Sequence, residues 1–563
     1  MKKTLLFLLI LLFPLHAAMC LSPDELEPVL GINERGVSIT VKSALTLDRV
    51  RLFWTHREIP EEPCFDPFQR YTFYESSEKP RKTHMFFLPF ERKKKTYYQP
   101  DLPLDRVVHF RIQAIAPKGK SRKSIISKEY RFRAIRDKAG AIRFGLLFSN
   151  GPLVAFTGED RAVISWESNF PSLGSLEFFR EGKSDKKILE SNEKSRGFVI
   201  KLDHLRARTN YNYRVICRDP KSGDSILSPV YRFRTAPLEG GEFCFAVMGA
   251  SEGDPHSYNP DESVNGVNVR VLNRLSRDAL DKGADFILFT GDLVAGGAPD
   301  RESAFLRYKT WKEAVAGVNA FIPVYPAMGR NDSICPKESG GEIPTPEEVW
   351  RTVFVLPEQG PVNRPRLPTY RENVYSMKYG GVHFTALNSS YNNVPENSGV
   401  NPGFIATIDQ VQRDWFQLEL EENKSRRFHF VFFSEPAYPC SVFYGRSLDS
   451  KPDERDAVVT ILDKYRVDAF FCGHEHAFSR LFIDKKINPN LKNGTWQIIT
   501  GGAGGAAHPP TRGIPWFDSL EKYETDYHWI FAEVKKGETR FTVFNIKGDP
   551  IDSFTLEKRK KPR

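Results

Sequence analysis

Five short runs of almost unbroken apolar residues, at 243–248, 286–289, 321–325, 430–433 and 469–472, mark the second half of this 563-residue chain. A strand solvated on one face alternates apolar with polar residues, so unbroken runs belong to strands buried on both faces. Between them the apolar residues recur at helical spacing. In 267–280, Val271, Leu272, Leu275 and Ala279 fall on one side, and 408–420 and 457–465 behave likewise. Buried strands alternating with helices predict α/β layering over 242–557. Strands return near the end, at 496–500, 529–534 and 540–546.

The first half has a different texture. From about 24 to 135 there are short β-like runs at 37–41, 50–54 and 107–112, separated by polar turns, as in a β-sandwich. Residues 136–143 read as a linker. A second set of strands over 144–237 is built around Trp166 and the alternating run 211–215, and it closes at 231–235. The expected order is therefore two all-β sandwiches of immunoglobulin or fibronectin-III type, then an α/β domain. Aromatic residues make up 13% of the chain, which suits pleated, half-buried surfaces.

The N-terminus joins Met1-Lys2-Lys3 to an apolar run ending at Leu15, followed by Ala17 and Ala18. That pattern describes a secretory signal over 1–20, and the run is too short to span a bilayer. Export to the periplasm, the cell surface or the medium is the expectation, with Cys20 a candidate for lipid attachment and membrane association. The other six cysteines have no metal-finger spacing, and their pairing stays open. A net charge of +10 favours solubility and can attract anionic ligands. No basic recognition helix or aromatic–basic interleaving points to nucleic acid.

In open α/β sheets the chemistry gathers just past the carboxyl ends of the strands. One of these strands runs into Thr290-Gly291-Asp292, another into Cys472-Gly473-His474-Glu475-His476. Two imidazoles one residue apart, with a carboxylate from a neighbouring strand, are donors of the kind found in hydrolytic two-metal sites. Gly473 to Arg480 and the glycine turn Gly501-Gly502-Ala503-Gly504-Gly505 resemble the last motifs of the calcineurin-like metallophosphoesterases, and most of all of purple acid phosphatases. The resemblance runs in order through nearly all of 243–557 and implies a four-layer metallophosphoesterase domain. Gly151-Pro152, Ser165-Trp166-Glu167, Thr209 to Val215 and Phe233 to Pro237 resemble the fibronectin-III-like domain that precedes it in purple acid phosphatases. The first segment resembles a more diverged copy.

That family implies hydrolysis of phosphoric monoesters with Fe, Zn or Mn, and a phosphate ester or other small anion as ligand. This chain departs from its pattern at four motifs. Ala250 stands where an Asp ligand follows the first strand, and Ala295 where purple acid phosphatases place a Tyr. Arg330 and Asn331 replace the Asn ligand and the catalytic His, and Ser434 replaces a His ligand. One metal site is thereby left with Asp292 and His474, beside an Arg that cannot deprotonate. The other keeps Asp292 and His476, with Glu252, or Asp254 and His256, as substitutes for the missing Asp; the alternative for these three is a solvated loop.

Two functions follow. In one, a reduced centre of one metal hydrolyses phosphoric esters, with Arg330 and Asn331 in catalytic positions. In the other, Arg330 pairs with Asp292 and the pocket, without metal, binds a ligand or acts as a scaffold. Among the remaining candidates, His383 reads as a core histidine, and His508 and His528 as loop residues near the glycine turn that face solvent or, alternatively, the pocket mouth. Glu435 either reaches the cavity or caps a loop, and the basic tail 558–563 is a solvated end.

Overall fold

The structure, a computed structural model, describes residues 28–56, 71–94, 96, 99–115, 124–127, 129–253, 263–296, 298, 301–333, 345–391 and 406–558. The expected signal segment with Cys20, and Cys64, Asp254, His256, Cys335 and residues 559–563, lie outside them. Residue contacts divide the chain into two compact units. One comprises Met1–Thr55, Tyr71–Leu102 and His109–Tyr130, the other His56–Arg70, Pro103–Val108 and Arg131–Arg563.

The first unit is all-β. Strands β1 (Pro28–Asn33), β2 (Gly36–Leu47) and β5 (Arg81–Pro89) form an antiparallel sheet. Strands β3 (Arg49–Thr55), β4 (Phe73–Ser77) and β6 (Val107–Ile115) form a second, with β7 (Ser124–Ile126) on β6. Val37, Ile39, Val41, Trp54, Phe110 and Ile112 are fully buried. They come from alternate positions of their strands, as a sandwich core requires.

The second unit opens with β8 (Tyr130–Arg136) and β9 (Ile142–Phe144), paired across the turn expected as a linker. A sandwich follows, made of β10 (Phe148–Thr157), β11 (Ala162–Arg180), β12 (Lys187–Glu190), β13 (Ser195–Leu202), β14 (Asn210–Asp219), β15 (Asp224–Leu227) and β16 (Tyr231–Arg234). The long β11 serves two sheets. Its first part pairs with β10 and β13, its second with β12 and β14. Trp166 is 1% exposed and stacks on Phe198 at 5.0 Å, the core role its surroundings in the sequence suggest.

The α/β part has two facing sheets. The first runs β19 (Val324–Pro326), β18 (Ile287–Phe289), β17 (Phe243–Met248), β27 (His528–Val534), β28 (Glu538–Asn545), β29 (Pro550–Glu557), parallel across β17, β18 and β19. The second runs β20 (Tyr375–Tyr379), β21 (Val382–Ala386), β22 (Phe428–Phe432), β23 (Ala469–Cys472), β25 (Thr495–Thr500), β24 (Phe478–Ile483), β26 (Leu520–Glu524), parallel from β21 to β25. Phe245, Phe286, Phe384, Phe430 and Phe541 interlock between the sheets at ring separations from 5.2 to 6.2 Å. Helices α1 (Val269–Asp281) and α2 (Arg301–Asn319) cover the first sheet, and α4 (Gln410–Glu422) and α5 (Pro452–Lys464) the second. The short α3 (Pro346–Val353) begins on a Thr345–Glu348 capping box. The result is a helix–sheet–sheet–helix sandwich, the α/β layering expected from the alternating runs in the four-layer form that the resemblance implies.

A candidate pocket at the strand ends

The carboxyl ends of β17, β18, β19, β22 and β23 open on one side and bring together Glu252, Asp292, Asn331, Ser434, Glu435, His474 and His476. The backbone is sharply bent there. Ala250 (φ +54°), Asp292 (φ +53°) and His474 (φ +62°) all take the left-handed conformation that residues with a Cβ rarely adopt. Gly329 lets the chain after β19 pass close, since a Cβ there would lie 2.3 Å from the Asp292 nitrogen. A Cβ on Gly505 would meet the His476 ring at 2.2 Å, so the glycine turn is what seats that imidazole.

Asp292 is fully buried. Its Oδ2 lies 2.8 Å from His474 Nδ1 and accepts the Ser434 hydroxyl at 3.4 Å, and its Oδ1 accepts the Asn331 amide at 2.7 Å. Asn331 Nδ2 donates to Glu252 Oε1 at 3.1 Å, and that oxygen lies 2.6 Å from His476 Nε2. His474, Asp292, Asn331, Glu252 and His476 thus form one unbroken chain of polar contacts.

Glu252 is 8% exposed, so the solvated-loop reading does not hold for it. The residue before it is anchored on three sides. The Ser251 hydroxyl donates to the Leu293 carbonyl and accepts from Trp311, and its own carbonyl takes the Asn268 amide. Between the two imidazoles, Glu475 accepts the Cys440 amide and both the amide and hydroxyl of Ser441, fixing the turn.

Burial alone would push His474 down, but Glu435 and Asp292 outweigh it and raise its pKa to about 9. Burial opposes ionisation of Asp292 as well, and His474 with the Asn331 amide still holds it below the usual carboxylate range. His476 is likewise raised, Glu252 prevailing over burial. Glu435 moves up because it is buried, 3.6 Å from His474 Nε2.

Three nearby residues stand apart from their sequence reading. His508 does not face solvent alone: it stacks on His476 at 4.0 Å and its Nδ1 accepts the His476 amide. Burial and the two neighbouring imidazoles lower its pKa to about 3. His528 is fully buried, between the Asp526 carbonyl and the Thr500 hydroxyl, because its strand starts inside the sheet. Phe443, which sequence gave no reason to notice, lies 4.1 Å from the His474 ring. His383 is a core histidine, its Nε2 3.1 Å from Glu419. Cys217, Cys244, Cys440 and Cys472 are free thiols.

The donor set does not fit two divalent ions. Ala250 offers a methyl group, and the Ser434 hydroxyl is spent on Asp292. Arg330 adds a fixed positive charge that raises the cost of placing a cation beside it. Both imidazoles meet a carboxylate directly. Among the described residues, no three His, Cys, Asp or Glu side chains are grouped as ligands of one ion.

This fold, with its site at the strand ends, is that of a metallophosphoesterase. Residues 253–478 match the calcineurin-like phosphoesterase family, so the chain carries a calcineurin-like phosphoesterase domain. Within that class its likeness is to purple acid phosphatases. The chain is 22% identical over 386 residues to the "Probable inactive purple acid phosphatase 24" of Arabidopsis thaliana, covering 62% of this chain and 57% of that protein. It is also 22% identical over 377 residues to a nucleotide pyrophosphatase/phosphodiesterase of Hordeum vulgare, covering 60% of this chain and 89% of that one. The solved purple acid phosphatase PPD1 from yellow lupin (Lupinus luteus) seeds shares the fold, with a TM-score of 0.58 at 14% identity over 94% of each chain. The chain thus spans just over half the length of the first of these relatives. Among its described residues no helix is long and apolar enough to cross a membrane.

Proposed function

We propose that this purple acid phosphatase-like protein does not hydrolyse phosphoric esters by the two-metal route, and that it works outside the cytoplasm as a binder of a small anionic ligand or as a scaffold. The observation that carries this reading is the unbroken contact chain His474–Asp292–Asn331–Glu252–His476. The side chains that would share two ions are engaged with one another, and Ala250, Arg330 and Ser434 withdraw three further donors.

A second reading rests on Glu252. It returns a carboxylate to the side of the pocket where Ala250 lacks one, 2.6 Å from His476 Nε2, and a single ion held by this pair would need Asp292 to draw in as a third donor. In that case the chain is a phosphomonoesterase with a reduced centre of Fe, Zn or Mn, and Arg330 and Asn331 steady the phosphoryl group.

One assay separates the two: hydrolysis of a chromogenic phosphate monoester by the full chain and by Asp292→Ala, across acidic to alkaline pH with Zn, Mn or Fe added. The first reading expects no turnover above that of the variant. Metal-dependent turnover that the substitution abolishes overturns it in favour of the second.

A further inference from the structure

The β1–β2–β5 sheet of the first unit has two unlike faces. Val37, Ile39, Val41, Phe86 and Leu88 point inward and are buried. Successive residues of a strand alternate faces, so Val29, Thr40, Lys42, Arg81, Met85 and Phe87 point outward. A sheet face open to water is ordinarily polar. Here Val29 is 61% exposed, Met85 67% and Phe87 42%. Val29 and Met85 flank Thr40 in one cross-strand row, and Phe87 stands in the next row along β5.

The charge on this face has one sign. Lys42 and Arg81 are exposed at one end of it, and none of the three strands contains an Asp or Glu. The chain enters the sheet at that same end. Pro28, the first residue of β1, pairs with Val41, next to Lys42. Cys20 precedes Pro28 by eight residues, a stretch that reaches about 28 Å at most. A lipid on Cys20 would therefore hold the basic end of the face within that distance of a bilayer.

We propose that this face docks on an anionic phospholipid bilayer, with Val29, Met85 and Phe87 among the outer acyl carbons and Lys42 and Arg81 against the headgroup phosphates. Apolar side chains beside cations, with no carboxylate among them, match the boundary between acyl chains and anionic headgroups. A protein partner would account for the apolar residues but gives no reason for the basic end and the tethered end to coincide. The inference extends the reading of Cys20 as a lipid-bearing residue and is independent of the strand-end pocket.

The test uses residues 20–563 with Cys20→Ser, which keep every described residue and carry neither the signal run nor a lipid. Failure of docking in this chain leaves the reading of Cys20 standing, so the two are separable. Co-flotation with vesicles of phosphatidylglycerol and phosphatidylethanolamine, and with vesicles of phosphatidylcholine alone, measures partitioning. Binding is expected on the anionic vesicles, weakening as salt rises from about 0.1 M to 1 M. Met85→Ser with Phe87→Ser should weaken it about tenfold or more, because burial of these two side chains is the larger contribution. Lys42→Gln with Arg81→Gln should weaken it about fivefold per cation at low salt. All four side chains are exposed, and thermal melts verify that both double variants fold. Absence of binding to anionic vesicles overturns the proposal. So does equal binding to phosphatidylcholine, or binding that either double variant leaves unchanged. A dimer in sedimentation that Met85→Ser with Phe87→Ser dissociates would assign the face to a second copy of the chain and overturn it as well.

Discussion

His474 and His476 are one residue apart, each faces a carboxylate, and yet their surroundings differ. His474 and Asp292 are 4% and 0% exposed, under the ring of Phe443, with Glu435 behind the imidazole. His476 and Glu252 are each 11% exposed, and His476 is backed by the His508 ring. The inner pair keeps two residues that the phosphoesterase pattern calls for. The outer pair joins one such residue, His476, to a carboxylate that the pattern does not supply. The inner contact ties the bend after β18 to the turn after β23, and the outer one ties the segment after β17 to the same turn. Buried charge pairs punish the loss of one member heavily, and the more so the deeper they lie.

The largest effect that sharpens this contrast is expected from Asp292→Ala. It removes the nearer of two carboxylates that face His474 and the acceptor of the Asn331 amide, so unfolding in denaturant should show a loss of about 3–5 kcal/mol. A loss near that of Glu252→Gln would erase the difference between the two pairs. Next comes pH. Because the folded pKa of His474 is raised above 6.5 to about 9, its contribution is fully present below 6.5 and is lost as pH rises through 9. Stability followed by denaturant titration should therefore fall across that window, and this component of the fall should vanish in His474→Gln.

Glu252→Gln ranks third, with an expected cost of about 1–3 kcal/mol, because glutamine keeps an acceptor for Asn331 and His476 but removes the charge. Its clearer signature is a lowered His476 pKa in an NMR titration; an unmoved His476 would mean that Glu252 is not its partner. The smallest effect is Ala250→Gly. Ala250 holds a left-handed conformation that glycine adopts without strain, so the substitution should stabilise by up to about 1 kcal/mol. Destabilisation would show that the methyl group packs more usefully than its backbone is strained.

Sequence carried the layer order and the inner pair, because strand-end positions follow from runs of buried residues and the Gly-His-Glu-His turn. It also carried the losses at Ala250, Arg330 and Ser434, which need only the order of motifs. The outer pair was legible only as one of several alternatives, Glu252 standing beside Asp254 and His256 as a candidate to accompany His476. Glu252 acquires its role from the anchoring of Ser251 by Trp311, a residue of α2. That helix escaped the periodicity because Arg307, Thr310, Lys312 and Asn319 are buried along with its apolar residues, leaving no clean stripe. Lys312, for instance, reaches the Val353 carbonyl and Glu167. The stacking of His508 on His476 and of Phe443 on His474 depends on loop paths that no local pattern encodes.

The most direct test of a pocket occupied by its own side chains is the metal content of the full chain, purified and then dialysed against Zn, Mn or Fe, measured beside Asp292→Asn. The account predicts no stoichiometric ion in either protein. One or two ions per chain, lost with that single substitution, would contradict it.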